Sequence, residues 1–197
     1  MKKLILALLI NLPLFSFSQS SDESEIYRLF FKNSLERSYD SSRKTLATFK
    51  GFEWKEFHQL VVIDSTLPFT FTGFASLNEN LPELEKDTYK DFNNQNRISE
   101  KFSKPKNIDN IVLVSKNETA KIMKGNTDGW NSFYEKYPES QGILKVSNIG
   151  FNKNRDQALL FVENRANRQE GLGYFILFTR IGDLWKEDKI VIIYYKI

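Results

Sequence analysis

The sequence contains no cysteine and a single histidine, His58, among 197 residues. The missing thiols exclude a disulfide framework and a nucleophilic Cys, and together with the lone histidine they exclude an ordinary zinc site, which needs several Cys or His ligands. Packing alone must therefore hold the fold. What the chain has in abundance is aromatic, with 17 Phe and 8 Tyr. Hydrophobic residues make up 41% and charged residues 27%, a balance that fits neither a disordered chain nor a polytopic membrane protein. The length suits one domain with a sizeable core.

Only one segment reads as something other than fold. Lys2 and Lys3 precede an almost wholly apolar stretch, Leu4 to Phe15, and Ser16, Phe17 and Ser18 form a small-x-small cleavage pattern. The run is too short to span a membrane with ordinary flanks, so residues 1–18 are expected to be a cleaved signal peptide and 19–197 a single exported α+β domain. A lipoprotein anchor is excluded, because lipidation needs a Cys. Without Lys2 and Lys3 the 28 basic residues fall to 26 against 25 acidic ones, a net charge of +1. No basic block remains to displace counterions from a phosphate backbone, so nucleic acid is not an expected partner, nor is a stable membrane anchor expected.

Ile26, Leu29, Phe30 and Asn33 recur at helical spacing behind Asp22 and Glu25, which predicts a helix over about 23–39 capped by Asp22. Residues 59–65 hold the β-branched run of a strand covered on both faces. Asn80 is expected to cap a second helix that turns Leu81, Leu84, Thr88 and Phe92 to one side, with Pro82 in its first turn. Residues 108–114 read as another strand. Ser115 and Glu118 then form a capping box for a short helix ending at Gly125. Trp130, Phe133, Tyr134 and Tyr137 stand at i, i+3, i+4 and i+7 between a cap at Thr127 or Asp128 and a stop at Pro138.

Beyond Gly142 the period changes to two, giving strands over 143–151, 158–163, 172–181 and 184–195. The fold class expected is α+β, a C-terminal four-stranded antiparallel meander covered by helices. The aromatic helix around Trp130 is expected to dock on Ala158, Leu160 and Val162, which lie on one alternating face.

The stretch from Trp130 to Lys186 carries a run of motifs: Trp130, Phe133, Tyr134, Lys136, Tyr137, Pro138, Ser140 and Gly142; then Ser147, Gly150, Phe151 and Asn152; then Ala158, Leu159 and Val162; then Gly171, Gly173, Tyr174 and Phe175; and last Trp185 and Lys186. In these it resembles a family of secreted proteins of Bacteroidota-type bacteria whose function is unknown. The resemblance implies export and a shared fold, by analogy of layout an NTF2-like or cystatin-like sheet with helices, and no activity or cofactor.

His58 and Asp64 lie six residues apart and would share a face of a continuous strand, a conceivable base and orienter; the plainer reading is a surface histidine and a turn aspartate. Asn152, Asn154, Asp156 and Glu163 occupy four positions of a calcium-loop template, but Gln157 stands where glycine is required and Lys153 and Arg155 offset the carboxylates. Gly171 and Gly173 lack the third glycine and following helix of a phosphate cradle. Phe69, Phe71 and Phe74 would form a partner or glycan surface if exposed, though core burial is the commoner fate of such residues. No metal or other cofactor is expected. The leading expectation is a non-enzymatic binding or interaction domain that takes a small ligand, a glycan or a protein partner in the concave space between sheet and helices. The alternative is a hydrolase using carboxylates or His58 in that concavity.

Overall fold

A computed structural model describes residues 20–45, 58–124, 129–168 and 171–196. The expected signal peptide, Gly125, Thr127 and Asp128 lie outside them. Within this range the chain forms five helices and an open sheet of seven strands, a mixed α+β fold. The helices are α1 (Ser21–Thr45), α2 (Phe74–Asn80), α3 (Lys86–Gln95), α4 (Lys116–Met123) and α5 (Gly129–Lys136). The strands are β1 (Gln59–Ile63), β2 (Ile111–Val114), β3 (Ser140–Val146), β4 (Gly150–Phe151), β5 (Gln157–Arg165), β6 (Gly171–Ile181) and β7 (Leu184–Lys196).

The sheet runs in the order β2-β1-β3-β5-β6-β7, with the two-residue β4 also paired to β5. From β3 onward the neighbours are antiparallel, whereas β1 pairs parallel with both β2 and β3. Parallel pairing needs crossover connections, and helices supply them. The chain leaving β2 must pass β1 to reach β3, so α4 and α5 cover the face of β1 between them.

Alternation within the strands then builds cores on both faces. Leu60, Val62, Leu144, Ala158, Leu160, Val162 and Ile176 meet Ile26, Tyr27, Phe30 and Phe31 of α1. On the opposite face Leu159, Phe161, Phe175 and Leu177 meet Leu77, Leu81, Leu84 and Phe92 around α2 and α3. At the parallel end of that face Val61, Ile63 and Ile143 take Phe133 and Tyr137 of α5.

Several expectations are corrected here. The aromatic helix does not dock on Ala158, Leu160 and Val162, because α1 occupies that face. Phe133 and Tyr137 are buried at the parallel end instead, with Trp130 half-buried beside them. Asp22 is not the cap of α1. Ser20 and Glu23 form a reciprocal capping box: the Ser20 N–H donates to Glu23 Oε2 at 3.0 Å and the Glu23 N–H to Ser20 Oγ at 3.3 Å. Asn80 closes α2 rather than opening a helix, while Leu81, Leu84, Thr88 and Phe92 are all buried as the spacing predicts. The strand expected over 143–151 is two strands: β3 and β4 both pair antiparallel with β5, but the register slips by one residue across 147–149. The capping box of α4 forms as expected, the Glu118 N–H donating to Ser115 Oγ at 3.0 Å.

Candidate functional site

The space between sheet and helices, nominated from the sequence, is filled by core side chains on both faces. Among the described residues, open volume lies where the first turns of α1 meet the loops beyond β1, α3 and β3. There a cleft of about 680 Å³ is lined by Ser20, Glu23, Tyr27, Thr66, Gln95, Ile98, Glu100, Lys101, Asn148 and Ile149.

Its walls are loops fixed by reciprocal hydrogen bonds. The Thr66 N–H donates to the Glu100 carbonyl at 2.7 Å and the Glu100 N–H to Thr66 Oγ1 at 2.8 Å, which fastens 98–101 across the end of β1. Asn96 clamps the opposite wall, its Nδ2 donating to the Asn148 carbonyl at 2.9 Å and its Oδ1 accepting from the Asn148 N–H at 2.7 Å. The floor is Tyr27, one turn along α1 from Glu23, whose buried hydroxyl donates to the Ser147 carbonyl at 2.6 Å.

The capping box aims the Glu23 carboxylate into this cleft. Burial pushes its pKa up, the negative charges of Glu100 and Asp22 add to the shift, and the Ser20 N–H and the Arg155 charge oppose it. The Tyr27 hydroxyl is likewise pushed up, by burial first and then by Glu23 and Glu100. Among the described residues neither Glu23 nor Glu100 has an ion-pair partner. The cleft thus holds two carboxylates that repel one another, and one of the two, the partly desolvated Glu23, gains from any incoming cation.

A second cleft of about 460 Å³ adjoins the first, sharing Glu23, Gln95 and Ile149 with it. Its far walls are one side of α3 and the β4–β5 turn. Arg155 packs over the Phe151 ring, 4.0 Å from its centre, and pairs with Asp22 at 2.9 Å. Asp22 also faces Arg180 at 3.6 Å and the Trp185 indole N–H at 3.5 Å. The hydrogen bond from Arg155, aided by Trp185 and both arginine charges, holds its carboxyl below the usual range against the opposing effect of burial. Asp22 therefore anchors the start of α1 to the sheet, which fixes Glu23 one residue on.

The sequence-nominated residues are elsewhere. His58 is exposed before β1 and Asp64 follows its far end. At ~3.3 Å per residue they stand ~20 Å apart along the strand, so they form no base–orienter pair, and neither lines these clefts. Phe69, Phe71 and Phe74 are half-buried at the flank of the core. Phe69 stacks on Phe161 with ring centres 3.9 Å apart, Phe71 meets Phe175, and Phe74 meets Tyr89. Asn93 and the Tyr89 hydroxyl both donate to the Phe71 carbonyl, which ties this segment down.

In the calcium-like loop, Asn152 Oδ1 accepts the N–H groups of Asp156 and Gln157, while Glu163 pairs with Lys145 at 2.9 Å on β5. Seven extended residues, ~23 Å, separate Asp156 from Glu163, too far to share an ion. Among the described residues no group of three or more His, Cys, Asp or Glu is placed to hold a metal, and no helix is long and apolar enough to cross a membrane.

Sequence reasoning missed Glu23, Gln95, Glu100 and Asn148 as site residues. They come from four separate segments, and the S-x-x-E pattern at Ser20 and Glu23 was the one local signal among them. The motif residues that carry the family resemblance have structural employment instead. Ser147 Oγ accepts the Phe161 N–H at 2.9 Å, Asn152 shapes the turn, and Trp185 packs edge-on against Phe151. No family model, curated protein or solved structure matches the chain.

Proposed function

We propose that the chain is an exported, non-enzymatic domain that binds a polar, amine-bearing small ligand in the cleft at the start of α1. The observation that carries this reading is the meeting of Glu23 and Glu100 there, neither in an ion pair among the described residues, beside hydrogen-bonding Gln95 and Asn148 and the apolar Ile98. A bound ammonium relieves the repulsion between the carboxylates and offsets the desolvation of Glu23. This places the ligand at the start of α1 rather than between sheet and helices, where core side chains pack on both faces.

Calorimetric titration with amines (ethanolamine, glucosamine, lysine amide) against amine-free counterparts (glycerol, glucose) tests the reading. Binding is expected from the amines and should weaken in Glu100→Gln. Glucose binding as tightly as glucosamine would count against it.

A hydrolase is the second reading, supported by the unequal environments of the two carboxylates: the half-buried Glu23 holds a proton more readily than an ordinary carboxylate and suits an acid, leaving Glu100 as base. Turnover of nitrophenyl glycosides or esters that vanishes in Glu23→Gln would favour it over simple binding. Export rests on residues 1–18, and a mature chain beginning at Gln19 by mass analysis is its test. Kinship with the secreted family rests on the 130–186 motifs. The antiparallel neighbours β3, β5, β6 and β7 support the helix-covered meander, while helices on both faces depart from a one-sided NTF2-like or cystatin-like layout.

A further inference from the structure

We infer that the ligand of the larger cleft is an amphiphilic primary amine, its ammonium held by Glu23 and Glu100 and an alkyl or aryl arm laid over Ile98. The inference rests on the cleft reading above and names its ligand class. Ile98 lines the cleft and is 65% exposed. The other exposed large aliphatic side chains among the described residues, Ile181, Leu184, Ile190 and Ile192, all belong to the β6–β7 hairpin, and none of them lines either cleft.

The loop sets the distance between the apolar and the acidic side chain. Ile98 stands two residues before Glu100, so at ~3.3–3.6 Å per residue their Cα atoms are ~7 Å apart at most. The Thr66–Glu100 hydrogen bonds fasten this loop, and the Ser99 hydroxyl adds a third tie, donating to the Thr66 carbonyl at 2.6 Å. An ammonium seated at Glu100 therefore has Ile98 within reach of an arm of a few carbons, and a cleft of about 680 Å³ has room for it. Covering Ile98 with such an arm takes apolar surface of both partners out of water. A sugar ring, hydroxylated on every side, gains little at the same place.

The head group follows from what the cleft presents to a cation. Glu23 Oε2 accepts the Ser20 N–H, but Glu23 Oε1 and both carboxylate oxygens of Glu100 accept from no protein donor among the described residues. An ammonium brings three N–H donors to these oxygens, and a quaternary ammonium brings none. Quaternary groups are held by aromatic faces instead. The one ring in the lining, Tyr27, is 2% exposed, and its hydroxyl is committed to the Ser147 carbonyl. An acid group on the ligand would meet two carboxylates against a single lysine, Lys101, so the cleft favours simple amines over amino acids.

Calorimetric titration of the mature protein with ethylamine, butylamine, hexylamine, hexyltrimethylammonium and 6-aminohexanoate tests the assignment. Affinity is expected to rise roughly tenfold or more from ethylamine to hexylamine, since each fully buried methylene is worth roughly a factor of four. The quaternary analogue and the amino acid should each bind roughly tenfold or more weakly than hexylamine. Ile98→Ser should remove the gain with chain length and leave ethylamine binding unchanged, while Ile98→Leu should keep the gain; thermal melts establish that both variants are folded. If ethylamine binds as tightly as hexylamine, or if Ile98→Ser leaves the gain intact, the amphiphilic ligand is overturned and the cleft reading stands. If no amine binds, both fail. A quaternary analogue that binds as tightly as hexylamine overturns the head group.

Discussion

A methyl group placed on Gly150 would overlap the backbone N and Cα of Phe92, so β4 and α3 touch main chain to main chain. That contact brings α3, which carries Gln95 at its end, against the strand that carries Phe151. Gly150→Ala must push the helix away, and overpacking of this kind typically costs ~1–3 kcal/mol. Gly182, by contrast, has open space around it and only its φ of 62° to lose. Denaturant midpoints should fall clearly for Gly150→Ala and by ~1–2 kcal/mol at most for Gly182→Ala.

Phe133 is 1% exposed and meets Val61, Ile63 and Ile143, whereas Trp130 is half-buried at the margin of the same cluster. Phe133→Ala should cost ~3–5 kcal/mol and Trp130→Ala less. His58→Ala, at an exposed site, should stay within ~0.5 kcal/mol. Equilibrium unfolding of the three variants ranks them directly.

The same aromatic stripe shows what the sequence could tell. Its spacing gave α5 and its buried face, and the Ser115 capping box gave α4, because both signals are local. The partner of the stripe was beyond reach. Docking on Ala158, Leu160 and Val162 followed from closeness along the chain, but β3 returns beside β1 in parallel, and strand order leaves no periodic trace. Asp22 misled for a related reason. As a residue at a helix start it reads as a cap, although its partners Arg155, Arg180 and Trp185 lie more than a hundred residues away. The cleft was illegible throughout, since Glu23, Gln95, Glu100 and Asn148 meet only once the loops are fixed.

Asp22 should shape the acid limb of stability. Its folded pKa lies below the ordinary 3.8, so its contribution is fully present above that value and is lost as pH falls through the folded pKa. Asp22→Asn should destabilise on the order of 1 kcal/mol at neutral pH, given that Arg155 is 43% exposed and screened by solvent. The difference from wild type should close in strong acid. Thermal melts of both proteins from neutral pH to pH 2 check this.

Glu23 carries the opposite sign. A folded pKa raised above 4.5 means stability that is present below that value and is lost as pH rises through the folded one. Glutamine keeps the capping-box acceptor and removes the charge. Glu23→Gln should therefore melt at the same or a higher temperature at neutral pH, with no loss beyond ~0.5 kcal/mol, while ligand binding weakens. Loss of stability with binding intact would make Glu23 a structural residue only.

The most direct measurement is the carbon-detected NMR titration of the Glu23 carboxyl, free and with a saturating amine. In the free protein its pKa should lie above the ~4.3 of an unperturbed glutamate. It should fall when the amine binds, because a neighbouring cation favours the charged form. A pKa at or below the ordinary value, or one that no amine moves, would contradict the assignment of this cleft as the binding site.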